Sequence, residues 1–140
     1  MLHSFFERRI FPLIWTFFLH LALLFPDRNL NERKLILIPH FDKLVHFGLY
    51  FILVAGWVVF FNLKTDLTTH QKRNWNYILI LAAIAHGIII EFLQGSEFIS
   101  RDFDWYDALA DGFGAIAGMM AGQIFTKKIL RQSSRQISPR

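Results

Sequence analysis

Four apolar runs divide this chain, and they limit what it can fold into more than any other feature of the sequence. They cover residues 10–25, 44–61, 77–94 and 105–125. A transmembrane helix needs about 17–25 apolar residues, so three of the runs have the required length and the first is slightly short. Because 54% of the 140 residues are hydrophobic, a water-soluble domain of this size has too little interior to bury them. The sequence therefore predicts an all-α membrane protein, a compact bundle of four transmembrane helices.

The distribution of positive charge predicts how this bundle is oriented. Ten of the 15 Lys and Arg residues fall in the N-terminal segment, the second loop and the C-terminal tail, which four spans place on one side of the membrane. Lys and Arg are enriched in cytoplasmic loops, so both termini are expected to be cytoplasmic in a multi-pass protein of the plasma membrane. This orientation also accounts for the excess of basic residues. The expected partner is the lipid bilayer, and no nucleic-acid partner is expected.

The predicted organisation is a single membrane domain over residues 1–126, followed by a basic cytoplasmic tail over residues 127–140. The tail is polar and basic, which is typical of disorder. The first apolar run follows Arg8 and Arg9, as in a signal peptide, but Pro26 and Asp27 replace the small residues of a cleavage site, so we expect a retained helix. The chain contains no cysteine, which excludes disulfides and thiolate metal sites.

Acidic residues are concentrated in one part of the chain, where six of the 11 lie between residues 91 and 111. In the predicted topology this stretch covers the outer end of the third helix, the third loop and the outer start of the fourth helix. Asp42, Lys43 and His46, at the start of the second helix, reach the same face. We therefore predict a cluster of polar side chains from three separate segments at the outer face of the membrane.

The helical register places these acids on the packing face of the fourth helix. At about 100° per residue, one side carries acids and glycines and the opposite side carries large apolar residues. The first side holds Asp104, Asp107, Asp111, Gly114, Gly118 and Gly122, and the second holds Leu109, Phe113, Ile116, Met120 and Ile124. Glycines at every fourth position let a neighbouring helix approach closely. The acidic face and the helix-packing face are therefore predicted to coincide.

Charges in this position need compensation. A charge near the bilayer centre costs about 2.5–3.5 kcal/mol on insertion scales, so Glu91 is expected to face the bundle interior and to be paired. Asp107 and Asp111 are four residues apart on one helix face and repel each other if both are ionised. The compensating group is expected to be Arg101, Lys43 or His46, or else a shared proton, a metal ion or a cationic ligand.

Two interpretations of the cluster remain open. In the first it is a functional site, and whether the protein is then an enzyme stays undecided. The candidate catalytic residues are Glu91, Asp107 and His46, and the candidate substrate-binding residues are Asp42, Lys43, Gln94, Arg101 and Asp111. A divalent metal ion is the cofactor that fits such ligands, with Glu91, Asp107, Asp111 and His46 as candidates to hold it. In the second interpretation the cluster is a structural polar core in a non-enzymatic scaffold or assembly protein.

A transporter is a third hypothesis, and it depends on two histidines inside the predicted spans. His20 and His86 would then act as proton relays. A neutral histidine that forms one hydrogen bond to another helix is the simpler explanation of each. Around the third helix His86 also lies at least about 100° away from Glu91, which argues against direct cooperation between the two.

The order of these polar residues resembles that of the VanZ-like family of bacterial membrane proteins. The similarity covers residues 39–122 and consists of short motifs in a fixed order. It includes Asp42, Lys43, His46 and Phe47 at the start of the second span, Glu91 and Gln94 at the end of the third, and Arg101, Asp107, Asp111 and Gly114 leading into the fourth. Asp111 departs from the family pattern, where we associate Asn with this position, and it adds a negative charge.

The resemblance implies a bacterial cell-envelope protein with this bundle as its core. The founding member of the family is associated with resistance to the glycopeptide antibiotic teicoplanin, but we assign no resistance function to this chain. Combined with the polar cluster, the resemblance leads us to expect a protein that binds, and in an enzyme modifies, a lipid-linked or headgroup substrate at the outer leaflet.

Overall fold

The computed structural model describes residues 9–25, 40–99 and 103–137, with side chains as far as residue 134. The four long elements in these ranges are all α-helices. They are α1 (Ile10–Leu24), α2 (Phe41–Leu63), α3 (Thr69–Gln94) and α4 (Trp105–Ile137). The predicted all-α bundle is therefore confirmed for the described part of the chain.

Three of the helices are long and apolar enough to cross a membrane. They are α2, α3 and the part of α4 from Trp105 to Ser134. The 15 residues of α1 are apolar but extend over only about 22 Å, which is shorter than the roughly 30 Å of hydrocarbon in a bilayer. The protein is thus an all-α membrane bundle with three helices long and apolar enough to span a bilayer and one shorter apolar helix, and the crossings themselves stay a prediction.

The bundle carries its apolar side chains outside and its most polar side chains inside. Phe17, Leu81 and Phe113 are each about two-thirds exposed on the outer surface. By contrast, Glu91 and Asp111 have no exposed surface at all. Water does not stabilise an exterior of this kind, whereas lipid chains do, so the surface agrees with a membrane-embedded protein.

Two helices extend beyond the limits that hydropathy predicts. Helix α3 begins at Thr69, well before residue 77, because Thr68 and Gln71 form a capping box in which each side chain bonds the other's backbone N–H. Helix α4 continues to Ile137, far past residue 125. The prediction of a disordered tail was therefore wrong for residues 127–137, where the polar sequence continues the helix beyond the apolar span.

Helices α2 and α4 form the most extensive helix–helix contact of the bundle, and glycines of α4 lie in it. A Cβ atom added at Gly114 would overlap the carbonyl oxygen of Phe47, and one added at Gly118 would overlap that of Phe51. One turn further, a Cβ at Gly122 would lie 2.9 Å from a carbonyl oxygen of α2. We call these three glycines the glycine seam. It confirms the close approach predicted from their spacing.

Helix α1 is attached to the bundle by apolar packing and by several hydrogen bonds. Leu19 and Leu23 are almost completely buried against α2 and α3. The Trp15 indole N–H donates to the carbonyl oxygen of Leu49 at 2.9 Å, and the Gln94 side-chain amide donates to the carbonyl oxygen of Leu23 at 2.7 Å. In an apolar environment each bond satisfies a backbone or indole group that would otherwise be costly to bury.

We expect Gly118→Ala to lower the stability of the bundle by about 1–3 kcal/mol or more, because the new methyl group meets rigid backbone of α2 rather than a flexible side chain. Gly48→Ala is the matched control, since a Cβ there meets nothing within 4 Å. The control should be neutral or slightly stabilising, because alanine favours a helix over glycine. Thermal unfolding in detergent, followed by circular dichroism, measures both; equal midpoints would contradict the packing role of the seam.

The predicted orientation is testable because the chain contains no native cysteine. In whole cells, a cysteine at Ser96, in the segment after α3, should react with a membrane-impermeant maleimide. A cysteine at Thr69, at the opposite end of the same helix, should react only after the cells are opened. The reverse pattern would place both termini outside.

Candidate functional site

The predicted convergence of polar residues from three segments is confirmed. At one end of the bundle, the first turns of α2 and α4 and the last turns of α3 bring seven ionisable side chains together. They are Asp42, Lys43, His46, Glu91, Asp104, Asp107 and Asp111, which we call the polar cluster. The cluster has a shallow part around Lys43 and a deep part around His46.

Lys43 organises the shallow part. Its ammonium nitrogen lies 2.6 Å from a carboxylate oxygen of Asp104 and 3.1 Å from an oxygen of both Asp107 and Asp42. An ammonium group has three N–H donors, so these contacts engage all of them. One cation thereby joins the start of α2 to the start of α4 and compensates part of the negative charge that the sequence concentrates here.

Asp104 connects the shallow part to both α3 and α4. One carboxylate oxygen accepts a hydrogen bond from the backbone N–H of Tyr106 at 2.8 Å, as an N-cap of α4 does, while the other contacts Lys43. The backbone N–H of Asp104 itself donates to Glu91 at 3.1 Å. The Lys43 ammonium, and then the Tyr106 N–H, hold the pKa of the Asp104 carboxyl below its ordinary value of 3.8.

His46 and Asp111 form the centre of the deep part. The Nδ1 atom of His46 lies 3.0 Å from an oxygen of Asp111 and 3.7 Å from Oε1 of Glu91. When Asp111 is ionised it only accepts hydrogen bonds, so Nδ1 of His46 then carries the proton and donates to Asp111. The opposite ring nitrogen, Nε2, then presents a lone pair. A carboxylate that fixes a histidine tautomer in this way is typical of general bases and of metal-binding histidines.

A glycine of α3 makes room for Asp111. A Cβ atom at Gly87 would lie 2.7 Å from Oδ2 of Asp111 and 3.0 Å from its Cβ. Because glycine has no Cβ atom, the buried carboxylate can lie directly against the α3 backbone at this position. Gly87 therefore positions Asp111 between α3 and the His46 ring.

Three buried polar atoms of the deep part have no hydrogen-bond partner among the described residues. They are Nε2 of His46, Oε1 of Glu91 and Oδ2 of Asp111. All three residues are at least 99% buried. Leaving a buried polar group unsatisfied costs about 1–3 kcal/mol, and more for a charged group. The deep part is thus rich in acceptors and short of donors.

The nitrogen and oxygen atoms of the cluster are suitable ligands for a cation. Nitrogen or oxygen atoms of His46, Glu91 and Asp107 lie within 4.8 Å of one another, and so do oxygen atoms of Asp42, Asp104 and Asp107. Carboxylate oxygens with one imidazole nitrogen are ligands that hard or borderline divalent ions accept. Five carboxylates share one lysine and one histidine in the described part of the cluster, so a positive ligand or bound protons would relieve their repulsion.

The structure separates the sequence-predicted residues into three groups. Most of them meet in the polar cluster: Asp42, Lys43, His46, Glu91, Asp107 and Asp111. Gln94 is buried, but its amide N–H bonds the carbonyl oxygen of Leu23 and so joins α3 to α1. Arg101 lies outside the described residues.

The sequence reasoning overlooked two residues that contribute to this region. Asp104 was recognised only as one acid among several, although its place directly before Trp105, with Asp107 three residues on, is typical of a helix N-cap. Tyr50 was not considered at all. It follows His46 by one helical turn, so the same face of α2 that carries the histidine also buries this hydroxyl.

Fold and cluster together define a class: a small helical membrane protein with a buried, acid-rich polar cluster at one end of its bundle. Comparisons of the chain with models of known protein families, with curated proteins and with solved structures give no match. The arguments that follow therefore depend on the residues and the geometry of this chain.

The lowered pKa of Asp104 predicts a pH-dependent contribution to stability. Because the folded pKa lies below the ordinary value of 3.8, the ionised carboxyl stabilises the fold above that pH, and the effect is lost as the pH falls through the lowered pKa. At pH 7, Asp104→Asn should therefore melt below wild type, even though Asn retains the helix cap.

The gap between the two midpoints should close as the pH falls below 3.8. Asp66→Asn, at an exposed position in the segment between α2 and α3, is the control and should match wild type throughout. Melting midpoints measured from pH 7 downwards check this, and a gap that stays constant with pH would contradict it.

Proposed function

We propose that this chain is a VanZ-like protein of the bacterial cell envelope that binds a lipid-linked or headgroup substrate at the outer leaflet. The polar cluster is the binding site in this proposal, and the ligand brings positive charge to it, either as a divalent ion or as a cationic group. The observation that carries the proposal is the set of unpartnered acceptors on His46, Glu91 and Asp111.

The chemistry of these atoms defines what completes the site. With Nδ1 of His46 donating to Asp111, each unpartnered atom offers a lone pair and none offers a proton. A neutral hydrogen-bond acceptor would add repulsion. A metal ion, an ammonium group or a bound proton satisfies the lone pairs and offsets the charge of the carboxylates.

A divalent ion between His46, Glu91 and Asp107 would give the protein a means of binding phosphate. One ligand atom from each of these residues is close enough to the others for a single ion to bind all three. Such an ion keeps coordination positions for oxygen ligands outside the protein, and phosphate groups commonly occupy them. A lipid headgroup or a lipid-linked phosphate at the membrane surface would then bind through the ion.

A catalytic role uses His46 differently, because the ring nitrogen that binds an ion cannot also act as a base. His46, held by Asp111, presents Nε2 as a general base, and Glu91 or Asp107 would hold an ion that polarises a substrate oxygen or a bound water. In this role His46 takes up a proton from the attacking group while the carboxylates keep the imidazolium favourable. The substrate modification proposed is therefore a hydrolysis or transfer at the headgroup.

The position of the cluster supports a substrate from the membrane surface. Glu91 lies one turn from the end of α3, and Asp107 and Asp111 lie in the first two turns of α4. Helix ends of a membrane bundle lie near the lipid headgroups, although the deep part of the cluster is itself buried between the helices. The excess of Lys and Arg predicted for the opposite face of the membrane favours the outside for this end of the bundle, which would make the outer leaflet the source of the substrate.

A non-enzymatic scaffold is the second candidate, and the shallow part of the cluster favours it. Lys43 uses its three donors on carboxylates of the chain itself, and Asp104 caps α4 while bonding Glu91 through its backbone. These contacts fix the helix ends without any ligand. In this candidate the cluster specifies helix packing, and all of its charges are internal.

We expect Glu91→Gln to lose the ligand and keep the fold, because the amide retains an oxygen for the Asp104 N–H but no longer carries a charge. The matched control is Glu97→Gln, three residues beyond α3 and exposed. Native mass spectrometry of protein released gently from its own membrane compares both with wild type. An adduct kept by wild type and by the control, but absent from Glu91→Gln, supports the binding site, and its mass identifies the ligand class.

The scaffold candidate predicts a different result from the same proteins. Glu91→Gln and Asp107→Asn would then lower the melting temperature in detergent, and wild type would carry no specific adduct. Stripping the wild type with a chelator gives an independent check: a lowered midpoint that Mn²⁺ or Mg²⁺ restores would identify a resident ion. No adduct together with no response to chelation would overturn the binding proposal.

A further inference from the structure

An apolar groove lies between α1, α2 and α4, towards the end of the bundle opposite the polar cluster. Its volume is about 460 Å³, and every residue that lines it has an apolar side chain or none, except Lys128. An engineered protein cavity of about 150 Å³ is enough to hold benzene, so this groove has room for a larger apolar group.

The groove faces outward, and its floor is backbone. A Cβ atom at Gly122 would lie 2.9 Å from the carbonyl oxygen of Ala55, and one at Gly56 would lie 3.0 Å from the ring of Phe11. Ile124, which forms part of the wall, is more than half exposed on the outer surface. In a bilayer an acyl chain is the natural occupant of such a groove, because a void would deprive its walls of dispersion contacts.

The groove extends along the helices over most of the thickness of one lipid leaflet. On α2 it reaches from Phe51 to Val59, which is about 12 Å of helix, and one leaflet has about 15 Å of hydrocarbon. Ile129 packs with Val59 and Leu63, so this turn of α4 is level with the last turns of α2. Lys128 is therefore expected where the hydrocarbon ends and the headgroups begin.

Lys128 is a cation without an internal partner. Within the described part of the chain its ammonium group forms no ion pair and no hydrogen bond. Lys43, by contrast, contacts three carboxylates, and the ammonium of Lys64 lies 5.4 Å from the centre of the Phe60 ring. Arg131 is also exposed and lies within about 60° of Lys128 around α4. Both cations are thus available to a ligand at the mouth of the groove.

The whole end of the bundle around the groove is basic. The described residues before α1, from 64 to 73 and from 127 to 134 include seven Lys or Arg and one acid, Asp66. Basic pockets between transmembrane helices bind anionic lipid headgroups. A zwitterionic headgroup carries its own cation beside the phosphate, so it gains less from these charges. The charge of this end therefore selects an anionic lipid.

We propose that the groove binds an anionic phospholipid of the leaflet opposite the polar cluster. One acyl chain lies in the groove, and the phosphate is bound by Lys128, with Arg131 as a second contact. A second copy of this chain fits less well, because a two-fold interface here would bring two Lys128 side chains together. The inference does not rest on the proposed function, since the groove and the polar cluster share no residue.

The affinity of the first bound lipid tests the role of Lys128. Native mass spectrometry of delipidated protein, titrated with phosphatidylglycerol or with phosphatidylcholine of the same acyl chains, should show tighter binding of phosphatidylglycerol. Lys128→Gln should weaken phosphatidylglycerol binding about fivefold, the contribution of one cation at a charged lipid surface, and leave phosphatidylcholine unchanged.

Lys127→Gln is the matched control, because it removes the same charge from the neighbouring exposed position, which does not line the groove. It should bind both lipids as wild type does. Equal affinity of wild type for the two lipids, or an equal loss in the two variants, would overturn the proposal.

Filling the groove tests the place of the acyl chain. Ala121→Leu should abolish the preference for phosphatidylglycerol, because a lipid whose chain is excluded no longer holds its phosphate at Lys128. Ala85→Leu, at an exposed position of α3 outside the groove, should keep the preference. Melting midpoints establish that both variants fold, and if Ala121→Leu does not, the Lys128→Gln comparison decides alone.

Three further results would contradict the proposal or separate it from the function of the polar cluster. A preference that persists in folded Ala121→Leu would overturn it. So would a wild-type dimer that Ala121→Leu dissociates, because the groove would then be covered by a second copy. Glu91→Gln, which tests the polar cluster, should keep the preference for phosphatidylglycerol, so the two proposals fail independently.

Discussion

The direct contact between the backbones of α2 and α4 sets the helix spacing on which the polar cluster depends. Along the glycine seam, carbonyl oxygens of α2 occupy the space that a side chain at Gly114 or Gly118 would need. Helices this close bring even short side chains within hydrogen-bonding distance. Asp111, one turn before Gly114, therefore reaches His46. Larger residues in the seam would separate the helices and pull the two halves of the polar cluster apart.

Packing and charge therefore act on the same face of the same helices. In a bilayer, apolar side chains gain nothing by leaving lipid for the helix interface, so small residues and internal polar contacts supply the association. Lys43 joins the ends of α2 and α4 where the seam leaves off, and Gln94 attaches α3 to α1. The contact between His46 and Asp111 gains strength because both side chains are almost completely buried and the close packing keeps water out.

Helical periodicity was sufficient to predict the faces and the convergence, because it depends only on local geometry. The glycines and acids of α4 are buried and Phe113 is exposed, as the register predicts. The partners of individual atoms depend instead on how far one helix slides or rotates against the next. The hydrogen-bonded side chains of Tyr50, His86 and His20 come from three helices, and the residue spacing within any one helix does not predict that they meet. The start of α3 was not predicted for another reason. The capping box at Thr68 begins the helix among polar residues, which a search for apolar runs does not detect.

The difference between the two parts of the polar cluster is the main argument that it does more than hold the bundle together. Around Lys43 the donors and acceptors match, as expected of a structural contact. Around His46 three buried acceptors are left over. Replacing a buried charged group by apolar residues of similar volume is often neutral or stabilising, so stability alone does not explain these acids. A cation or a bound proton at these three acceptors, as proposed above, would account for them.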